Sequence, residues 1–347
     1  MIHKLFPYLC KNYVSMEYKN RIADKLLRDK LEAMGAVLIE GPKACGKTTT
    51  AEQQAKSIIY MDDPVKQEQY KQMAQTNIRF LLEGETPRLI DEWQHVPQFW
   101  DAIRFEVDHR DDDGQFMLTG SAVPADMKEI HHTGTGRYGW LTMRPMSLWE
   151  SGESTGEVSL SDLFLTPDRI GALNKLTLPM LAFAACRGGW PKSLQKKTEK
   201  AALSQVTEYY KAITNSDISR VDNVKRDEER AKRIMRSYAR HQGSQASIAT
   251  ILADISTNET GNISDETVGA YLTALRKIFV IEDMPAWNPN LRSKTAVRTS
   301  DTRYYVDPSL GVAALGLGPN DLVNDLNTFG FIFESLCEHD LKIYAEY

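Results

Sequence analysis

The sequence contains no long apolar run and no closely spaced cysteines. No stretch of the 347 residues approaches the roughly 18 consecutive apolar residues of a membrane helix, so no membrane contact is expected. Cys10, Cys45, Cys186 and Cys337 lie far apart, without the paired spacing of zinc or redox sites. This pattern predicts reduced thiols and a cytoplasmic protein rather than a disulfide framework.

The sequence also has little net charge. A formal charge of -5, with 42% hydrophobic and 26% charged residues, is typical of a soluble globular protein. Contact with nucleic acid would therefore need a local basic patch. Between Lys192 and Arg240 there are 13 Lys and Arg against 7 Asp and Glu. Because the signs alternate, we interpret this segment as a solvated helix face, with a ligand surface as the alternative.

The first residues are not expected to form a signal peptide. Pro7, Lys11 and Asn12 interrupt the apolar residues there, so no continuous apolar region is present. Residues 1–15 are predicted to be a loose N-terminal extension, and a short helix packed on the core is the alternative.

The first half alternates short apolar runs with helical patterns. This alternation predicts an α/β fold, a parallel five-stranded sheet with helices on both faces. The sequence predicts strands at 36–39, 58–61, 88–91, 116–119 and 138–143, and helices at 47–56, 63–82 and 97–109. From residue 179 onward the pattern is mainly helical.

A glycine-containing segment connects the first predicted strand to the first of these helices. Its spacing, Gly41-x4-Gly46-Lys47-Thr48, is that of the phosphate-binding P-loop. Backbone N–H groups of such a loop hold phosphate oxygens, Lys47 reaches the β- and γ-phosphates, and the Thr48 hydroxyl coordinates Mg²⁺. A structural glycine turn is the alternative, which the strand–loop–helix context disfavours. The predicted nucleotide-binding residues are Gly41, Pro42, Lys43, Ala44, Cys45, Gly46, Lys47, Thr48 and Thr49.

Polar residues follow the third and fourth predicted strands. Asp91 can hold Mg²⁺ through its water shell, and the adjacent Glu92 can polarise an attacking water. Acidic pairs at strand ends are common, and this pair alone is weak evidence. It indicates an ATPase because a P-loop precedes it by about fifty residues. Thr119 and Ser121 are candidates for sensing the γ-phosphate, and the alternative is a simple turn in which Thr119 satisfies the backbone.

Two arginines flank the fifth predicted strand. Arg137 or Arg144 could meet a γ-phosphate of this or a neighbouring subunit, and either could instead be a surface ion-pair partner. Glycines at 134 and 136 favour an exposed Arg137, which would complete the site of a neighbouring copy in a homo-oligomer. The pair His131 and His132 is interpreted as loop, because it lacks nearby metal-binding partners.

ATP is favoured over GTP because the guanine-reading Asn-Lys-x-Asp element is absent. The nearest segment, Asn174-Lys175-Leu176-Thr177, lacks the terminal Asp.

Residues 231–315 have the element order of a winged helix. Helical segments at 231–241, 247–255 and 265–277 precede apolar runs at 279–281 and 303–306. The third helix has its only basic residues, Arg276 and Lys277, at its far end, so specific base reading is disfavoured. The loop residues Arg292, Lys294 and Arg298 could still touch phosphates. We therefore expect a DNA or protein partner, and slightly favour protein.

These segments together resemble one known family. The similar segments are Gly41-Pro42-Lys43-x-x-Gly46-Lys47-Thr48, Pro87-Arg88-Leu89-Ile90-Asp91-Glu92-Trp93-Gln94, Leu118-Thr119-Gly120-Ser121, Gly136-Arg137, Arg144-Pro145-Met146-Ser147-Leu148, Gly188-Gly189-Trp190-Pro191, Val306-Asp307-Pro308-Ser309 and Phe329-Gly330-Phe331-Ile332-Phe333-Glu334. The family comprises uncharacterised prokaryotic AAA-type ATPases whose C-terminal half is a domain of unknown function, and the resemblance spans about residues 16–347. It implies an AAA-type P-loop domain at 16–150, a helical linker region at 151–230, a winged-helix domain at 231–315 and a nuclease-like segment at 316–347.

The resemblance is incomplete in its last part. Family members usually continue into a restriction-nuclease-like region with a later Asp and a Glu-x-Lys pair. Residues 329–347 resemble only the first helix of that region, with Glu334 in place and its metal partners absent. Either the chain is a truncated form or it has no nuclease core, and as given it is not expected to cut DNA.

The sequence thus predicts Mg-dependent ATP hydrolysis that drives a conformational switch of the winged-helix region, with Glu92, Arg137 and Thr119 as catalytic residues and Thr48 and Asp91 as metal ligands. The alternative is an ATP-gated DNA- or protein-binding module with little or no hydrolysis. A small-molecule kinase is disfavoured, because a base beside Asp91 that is poised for water would hydrolyse ATP unproductively.

Overall fold

The computed structural model describes residues 18–121, 133–256, 263–287 and 300–347. The predicted extension at 1–15, the pair His131 and His132, and the loop residues Arg292, Lys294 and Arg298 lie outside the described residues.

A five-stranded parallel sheet forms the centre of the N-terminal half. Its strands are β1 (Ala36–Glu40), β2 (Ser57–Tyr60), β3 (Arg88–Asp91), β4 (Phe116–Gly120) and β5 (Tyr138–Thr142). They lie in the order β2-β3-β4-β1-β5, and every neighbouring pair is parallel. The predicted fold class is confirmed, and the strands begin and end within one residue of the predicted positions.

Alternation along each strand sends side chains to opposite faces of the sheet. In β1, Val37 and Ile39 join a core cluster with Leu27, whereas Ala36 and Leu38 join a second cluster on the other face. Helices therefore cover both faces, as buried parallel sheets require.

The helices are α1 (Ile22–Ala33), α2 (Lys47–Glu52), α3 (Gln67–Asn77), α4 (Arg79–Leu82), α5 (Phe99–Asp108), α6 (Leu148–Ser151), α7 (Leu160–Leu165), α8 (Leu178–Arg187), α9 (Pro191–Leu194), α10 (Glu199–Ala212), α11 (Ile218–Arg220), α12 (Glu228–Arg240), α13 (Ile248–Ser256), α14 (Asp265–Lys277), α15 (Pro308–Leu315), α16 (Pro319–Asn324) and α17 (Leu326–Ala345). Two 3₁₀ turns, Trp93–His95 and Pro167–Arg169, and a π-helical turn, Ile213–Asp217, complete them. Within the residues described, no helix combines the length and apolar content needed to cross a membrane.

The helix predicted over 63–82 is shorter and divided. The Asp63 carboxylate accepts a hydrogen bond from the backbone N–H of Val65 (2.9 Å), which forms a turn where the helix was expected to begin. The Asn77 side chain accepts from the N–H of Arg79 (3.1 Å), and α3 ends there. Short polar side chains compete with helical hydrogen bonds in this way, and the apolar periodicity did not reveal it.

The predicted winged-helix region contains the expected elements. Helices α12, α13 and α14 pack in the same core cluster as one face of the sheet. Antiparallel bridges then join Ile281 to Tyr305 and Met284 to Thr302. The winged-helix interpretation and the predicted domain boundaries stay predictions.

Candidate functional site

The P-loop lies at the carboxyl edge of the sheet, directly after β1. Gly41 (φ 145°) and Gly46 (φ 106°) adopt backbone conformations that favour glycine. A Cβ added at Gly41 would lie 2.1 Å from the backbone oxygen of Met143, so the loop passes against the end of β5 at a distance only glycine permits. The predicted strand–loop–helix context is present, although α2 ends at Glu52 rather than at residue 56.

Lys47 lies inside this loop. Its ammonium group donates hydrogen bonds to the backbone oxygens of Gly41 and Pro42, both at 2.8 Å. The residue is 6% exposed, so its positive charge is held in place by loop carbonyls rather than by an acidic side chain. A phosphate group bound by the loop would meet this cation at short range.

Three side chains converge beside the loop at the ends of neighbouring elements. Asp91 ends β3, and Thr119 is its register partner in β4. The hydroxyls of Thr48 and Thr119 both donate to the Asp91 Oδ1 atom, at 2.7 and 2.5 Å. Burial raises the pKa of Asp91, and the hydrogen bonds from Thr119 and Thr48 oppose this shift. Hydroxyl and carboxylate oxygens are the ligands that Mg²⁺ prefers, so Thr48 and Asp91 fit the predicted metal site.

Glu92 occupies an unusual backbone position. It has φ 54° and ψ 45°, a left-handed conformation that non-glycine residues seldom adopt. The turn is held because the next residue, Trp93, is 3% exposed and packs on Trp100, with ring centroids 5.5 Å apart. As a result, the Glu92 side chain lines the cleft in front of the P-loop.

That cleft has a volume of about 900 Å³, which suits a nucleotide. Five of its lining residues are cationic, namely Lys19, Arg21, Lys43, Lys47 and Lys192. The remaining lining residues are Tyr18, Ala44, Gly46, Thr48, Thr49, Thr50, Asp62, Glu92, His95, Ser121, Met146, Pro191, Leu194 and Gln195. Ser121 therefore faces the cleft, whereas Thr119 lies behind it against Asp91.

Sequence reasoning missed the arginine that braces the P-loop. Buried Arg21 donates to the backbone oxygen of Cys45 in the loop (2.9 Å) and to that of Arg144 (2.8 Å). It also pairs with Glu150 at 3.0 Å, and both side chains are almost fully buried. Arg21 precedes the P-loop by a helix and a strand, so no local spacing indicated the contact.

The C-terminal half contributes one wall of the cleft through residues 191–195, which follow two closely packed glycines. A Cβ at Gly189 would lie 1.9 Å from the Met146 backbone oxygen, and one at Gly188 would lie 2.5 Å from the Asp307 carboxylate. Asp307 accepts from the Gly189 N–H at 2.8 Å, and Trp190 donates to Ser309 at 3.0 Å. Three of the motifs that carry the family resemblance thus form one interface, which places Pro191 and its neighbours at the cleft.

A second connection starts from the P-loop itself. The Lys43 ammonium group lies 2.7 Å from the Asp217 carboxylate, at the end of the π-helical turn. Asp217 is 8% exposed, so this ion pair joins the loop directly to the helical half of the chain. Lys43 was predicted as a nucleotide-binding residue of the loop, and its contact with the helical half was not predicted.

The two candidate arginines lie away from the cleft. Arg137 precedes β5, at the amino edge of the sheet and thus opposite the P-loop, and its guanidinium pairs with Asp108 at 2.8 Å. The structure therefore does not bring Arg137 to its own P-loop, and a role in a neighbouring subunit stays a prediction. Arg144 is 8% exposed and pairs with Glu282 and Glu346, so it joins the sheet to the C-terminal half rather than facing a phosphate.

Glu334 has a structural partner. Its carboxylate accepts a hydrogen bond from the Tyr304 hydroxyl at 2.9 Å. In the described part of the chain, no group of three or more His, Cys, Asp or Glu residues could hold a metal ion. That the chain does not cut DNA stays a prediction.

Comparisons with known proteins agree with the P-loop fold of the N-terminal half. Residues 34–151 match a family described as an AAA domain, and residues 179–321 match a family described as a domain of unknown function (DUF8612). No curated protein matches the chain. Among solved structures, a Walker-type ATPase of Pyrococcus abyssi is similar over 86% of this chain and 96% of that one, with 13% identity and a TM-score of 0.50. Cdc6p of Pyrobaculum aerophilum aligns over 91% of this chain and 93% of its own, with 14% identity. Its TM-score of 0.29 is too low to indicate a shared fold. At 13% identity, the similarity to the Walker-type ATPase indicates a shared fold and nothing about function.

Proposed function

We propose that this chain, which belongs to the AAA-type P-loop ATPases, binds Mg-ATP in the cleft above Lys47 and hydrolyses it. The observation that carries the proposal is the convergence on Asp91, whose carboxylate accepts from both Thr48 and Thr119 beside the P-loop lysine. A purely structural glycine turn would not need a buried carboxylate and two hydroxyls at its edge.

Each side chain has a distinct task in this mechanism. Lys47 and the loop amides hold the β- and γ-phosphates and neutralise their charge. Bound Mg²⁺, held by Thr48 and Asp91, would polarise the γ-phosphate. Glu92 faces the cleft and orients the attacking water, accepting its proton. Thr119 fixes the Asp91 carboxylate, and Ser121 is the polar group at the end of β4 that reaches the cleft.

The C-terminal half is the proposed recipient of the conformational signal. Two observations support this, namely the wall formed by residues 191–195 and the ion pair between Lys43 and Asp217. A change of the P-loop on binding ATP would reach the helical half through both. We propose a protein partner for the winged-helix region, because the Arg276 guanidinium on α14 is already paired with Asp283 at 2.5 Å and is not free to read bases.

The cytoplasm is the proposed location. Cys45, Cys186 and Cys337 are free thiols, which supports a reducing compartment.

Removal of Mg²⁺ tests the proposed activity. We expect the purified chain to release phosphate from ATP in the presence of Mg²⁺, and to lose this activity with excess EDTA, because Thr48 and Asp91 then have no ion to hold. Phosphate release is measured continuously at several ATP concentrations, with GTP as the comparison nucleotide. Tight ATP binding without turnover would favour the ATP-gated binding module instead, and the same assay with added DNA shows whether DNA stimulates hydrolysis.

Arg137 tests whether catalysis needs a second copy. Because it lies opposite its own P-loop, we expect Arg137→Ala to bind ATP normally but hydrolyse it about 10³-fold more slowly, as for loss of an arginine finger in trans. Mixing Arg137→Ala with Lys47→Ala should restore part of the activity, and wild-type specific activity should rise with protein concentration. The matched control is Arg104→Ala, which removes the other arginine partner of Asp108 at 3.0 Å. Activity that is independent of concentration, without rescue on mixing, would make Arg137 a structural residue.

A further inference from the structure

Gln94 is the closest polar neighbour that the structure gives to Glu92. It lies in the 3₁₀ turn Trp93–His95, which follows the left-handed position of Glu92. Its side-chain amide nitrogen donates a hydrogen bond to the Glu92 Oε2 atom. Backbone hydrogen bonds from His95 to Glu92 (3.1 Å) and from Val96 to Trp93 (2.9 Å) keep the turn closed, so both side chains are presented from one rigid segment.

The other end of the Gln94 carboxamide points toward β4. A Cβ placed at Gly120 would lie 2.8 Å from the Gln94 oxygen and 3.2 Å from the indole nitrogen of Trp93. A side chain at residue 120 would therefore displace the end of the Gln94 carboxamide from its place between Glu92 and the end of β4. Gly120 lies between Thr119, which holds Asp91, and Ser121, which faces the cleft.

The energetics of this arrangement favour a specific role. Among the described residues the Gln94 oxygen is buried without a hydrogen-bond partner, which is unfavourable. An apolar side chain of the same shape at position 94 would avoid the cost of burying an oxygen without a hydrogen bond. Packing alone therefore does not explain a glutamine here, beside a strained turn and a glycine. The donated hydrogen bond to a carboxylate is the interaction that this arrangement secures.

We propose that Gln94 is the positioning residue for the catalytic base: it holds one oxygen of Glu92, so that the other faces the cleft, and Gly120 provides the space for it. This inference rests on the proposed function, since it assigns Glu92 the role of base. Gln94 itself touches neither nucleotide nor water in this mechanism. It acts on the rate of hydrolysis and leaves ATP affinity unchanged.

The test replaces Gln94 with methionine, which keeps the length and shape of the side chain and removes both polar ends. We expect kcat to fall by about 10- to 100-fold, the loss for one hydrogen bond to a charged group, while KM and the ATP dissociation constant change less than about twofold. Gln94→Asn, which keeps the amide but shortens the reach, should show the same loss. Gln98→Met, at an exposed position just before α5, is the matched control and should keep the wild-type rate. Thermal unfolding of each variant shows whether it is folded. If Gln94→Met does not fold, the kcat of Gln94→Asn provides the test.

A double-mutant cycle separates positioning from packing. If Gln94 acts only through Glu92, then Gln94→Met should have no further effect on single-turnover hydrolysis in the Glu92→Gln background. A reduction of equal size in both backgrounds would overturn the proposal and show a general structural effect. An unchanged or increased kcat in Gln94→Met would also overturn it, and an increase would mean that Gln94 restrains the base. A wild-type chain that binds ATP without turnover overturns the proposed function first, and this inference with it.

Discussion

Lys47→Ala should lose ATP binding almost completely. Lys47 is buried in the loop, and its ammonium group is held by the backbone oxygens of Gly41 and Pro42. The substitution removes the cation that meets the β- and γ-phosphates, and it also removes the two hydrogen bonds that brace the loop. Loss of one partner from a buried, hydrogen-bonded charge pair costs ~2–5 kcal/mol, so the dissociation constant for ATP should rise by about 30-fold or more. Isothermal titration calorimetry with Mg-ATP measures the change directly.

Lys43→Ala is the matched control for that experiment. Lys43 belongs to the same loop and carries the same charge, but its ammonium group is paired with Asp217 rather than with loop carbonyls. We expect its ATP affinity to stay within about tenfold of wild type, since a half-exposed ion pair contributes about 1 kcal/mol or less. Equal losses in the two variants would contradict the assignment of Lys47 as the phosphate-binding lysine, because the effect would then follow total loop charge.

Glu92→Gln should bind ATP normally and lose turnover. The glutamine has nearly the same shape, and the Glu92 side chain lines the cleft without touching the P-loop lysine, so binding should be retained. The amide cannot accept the proton of the attacking water, and general-base catalysis typically contributes about 10²–10⁴-fold. We therefore expect kcat to fall by at least about 10²-fold with an unchanged dissociation constant. Steady-state phosphate release and calorimetry on the same preparation separate the two quantities.

Glu83→Gln provides the control for the loss of one negative charge. Glu83 is exposed and lies before β3, on the amino side of the strand that ends at Asp91. Its substitution should leave both kcat and ATP affinity unchanged. Hydrolysis by Glu92→Gln at the wild-type rate would show that another group activates the water, with His95 as the next cleft residue to test.

The sheet and the P-loop could be predicted from the sequence because their signals are local. Each strand is a short apolar run such as residues 36–39, and burial on both faces leaves such runs no polar alternation. The loop signature lies within eight positions from Gly41 to Thr48, where backbone conformation itself requires the glycines. Helix ends were predicted less well, because Asn77 divides a helix through one side-chain hydrogen bond that periodicity does not report.

The remaining site residues could not be found in this way, because their contacts join distant positions. Arg21 reaches Cys45 and Glu150 across the domain, and Lys43 reaches Asp217 in a π-helical turn. An arginine in a helix-leading segment and an aspartate in a charged helical stretch are each unremarkable by themselves. The family resemblance included the glycines at 188 and 189, but it did not explain them. The structure shows that Met146 and Asp307 approach so closely that a side chain at either position would clash.

The sequence by itself determined the P-loop signature, the order of strands and helices along the chain, and the carboxylate pair at the end of β3, because each depends on residues that are neighbours in the chain. The tertiary structure decided which of these side chains act together. Parallel strands place the carboxyl ends of β1, β3 and β4 at one edge, so Asp91 meets Thr48 and Thr119, while the same arrangement carries Arg137 to the opposite edge. Strand direction, which no single segment encodes, thus separates the side chains at the P-loop cleft from Arg137, whose role in a neighbouring molecule stays a prediction.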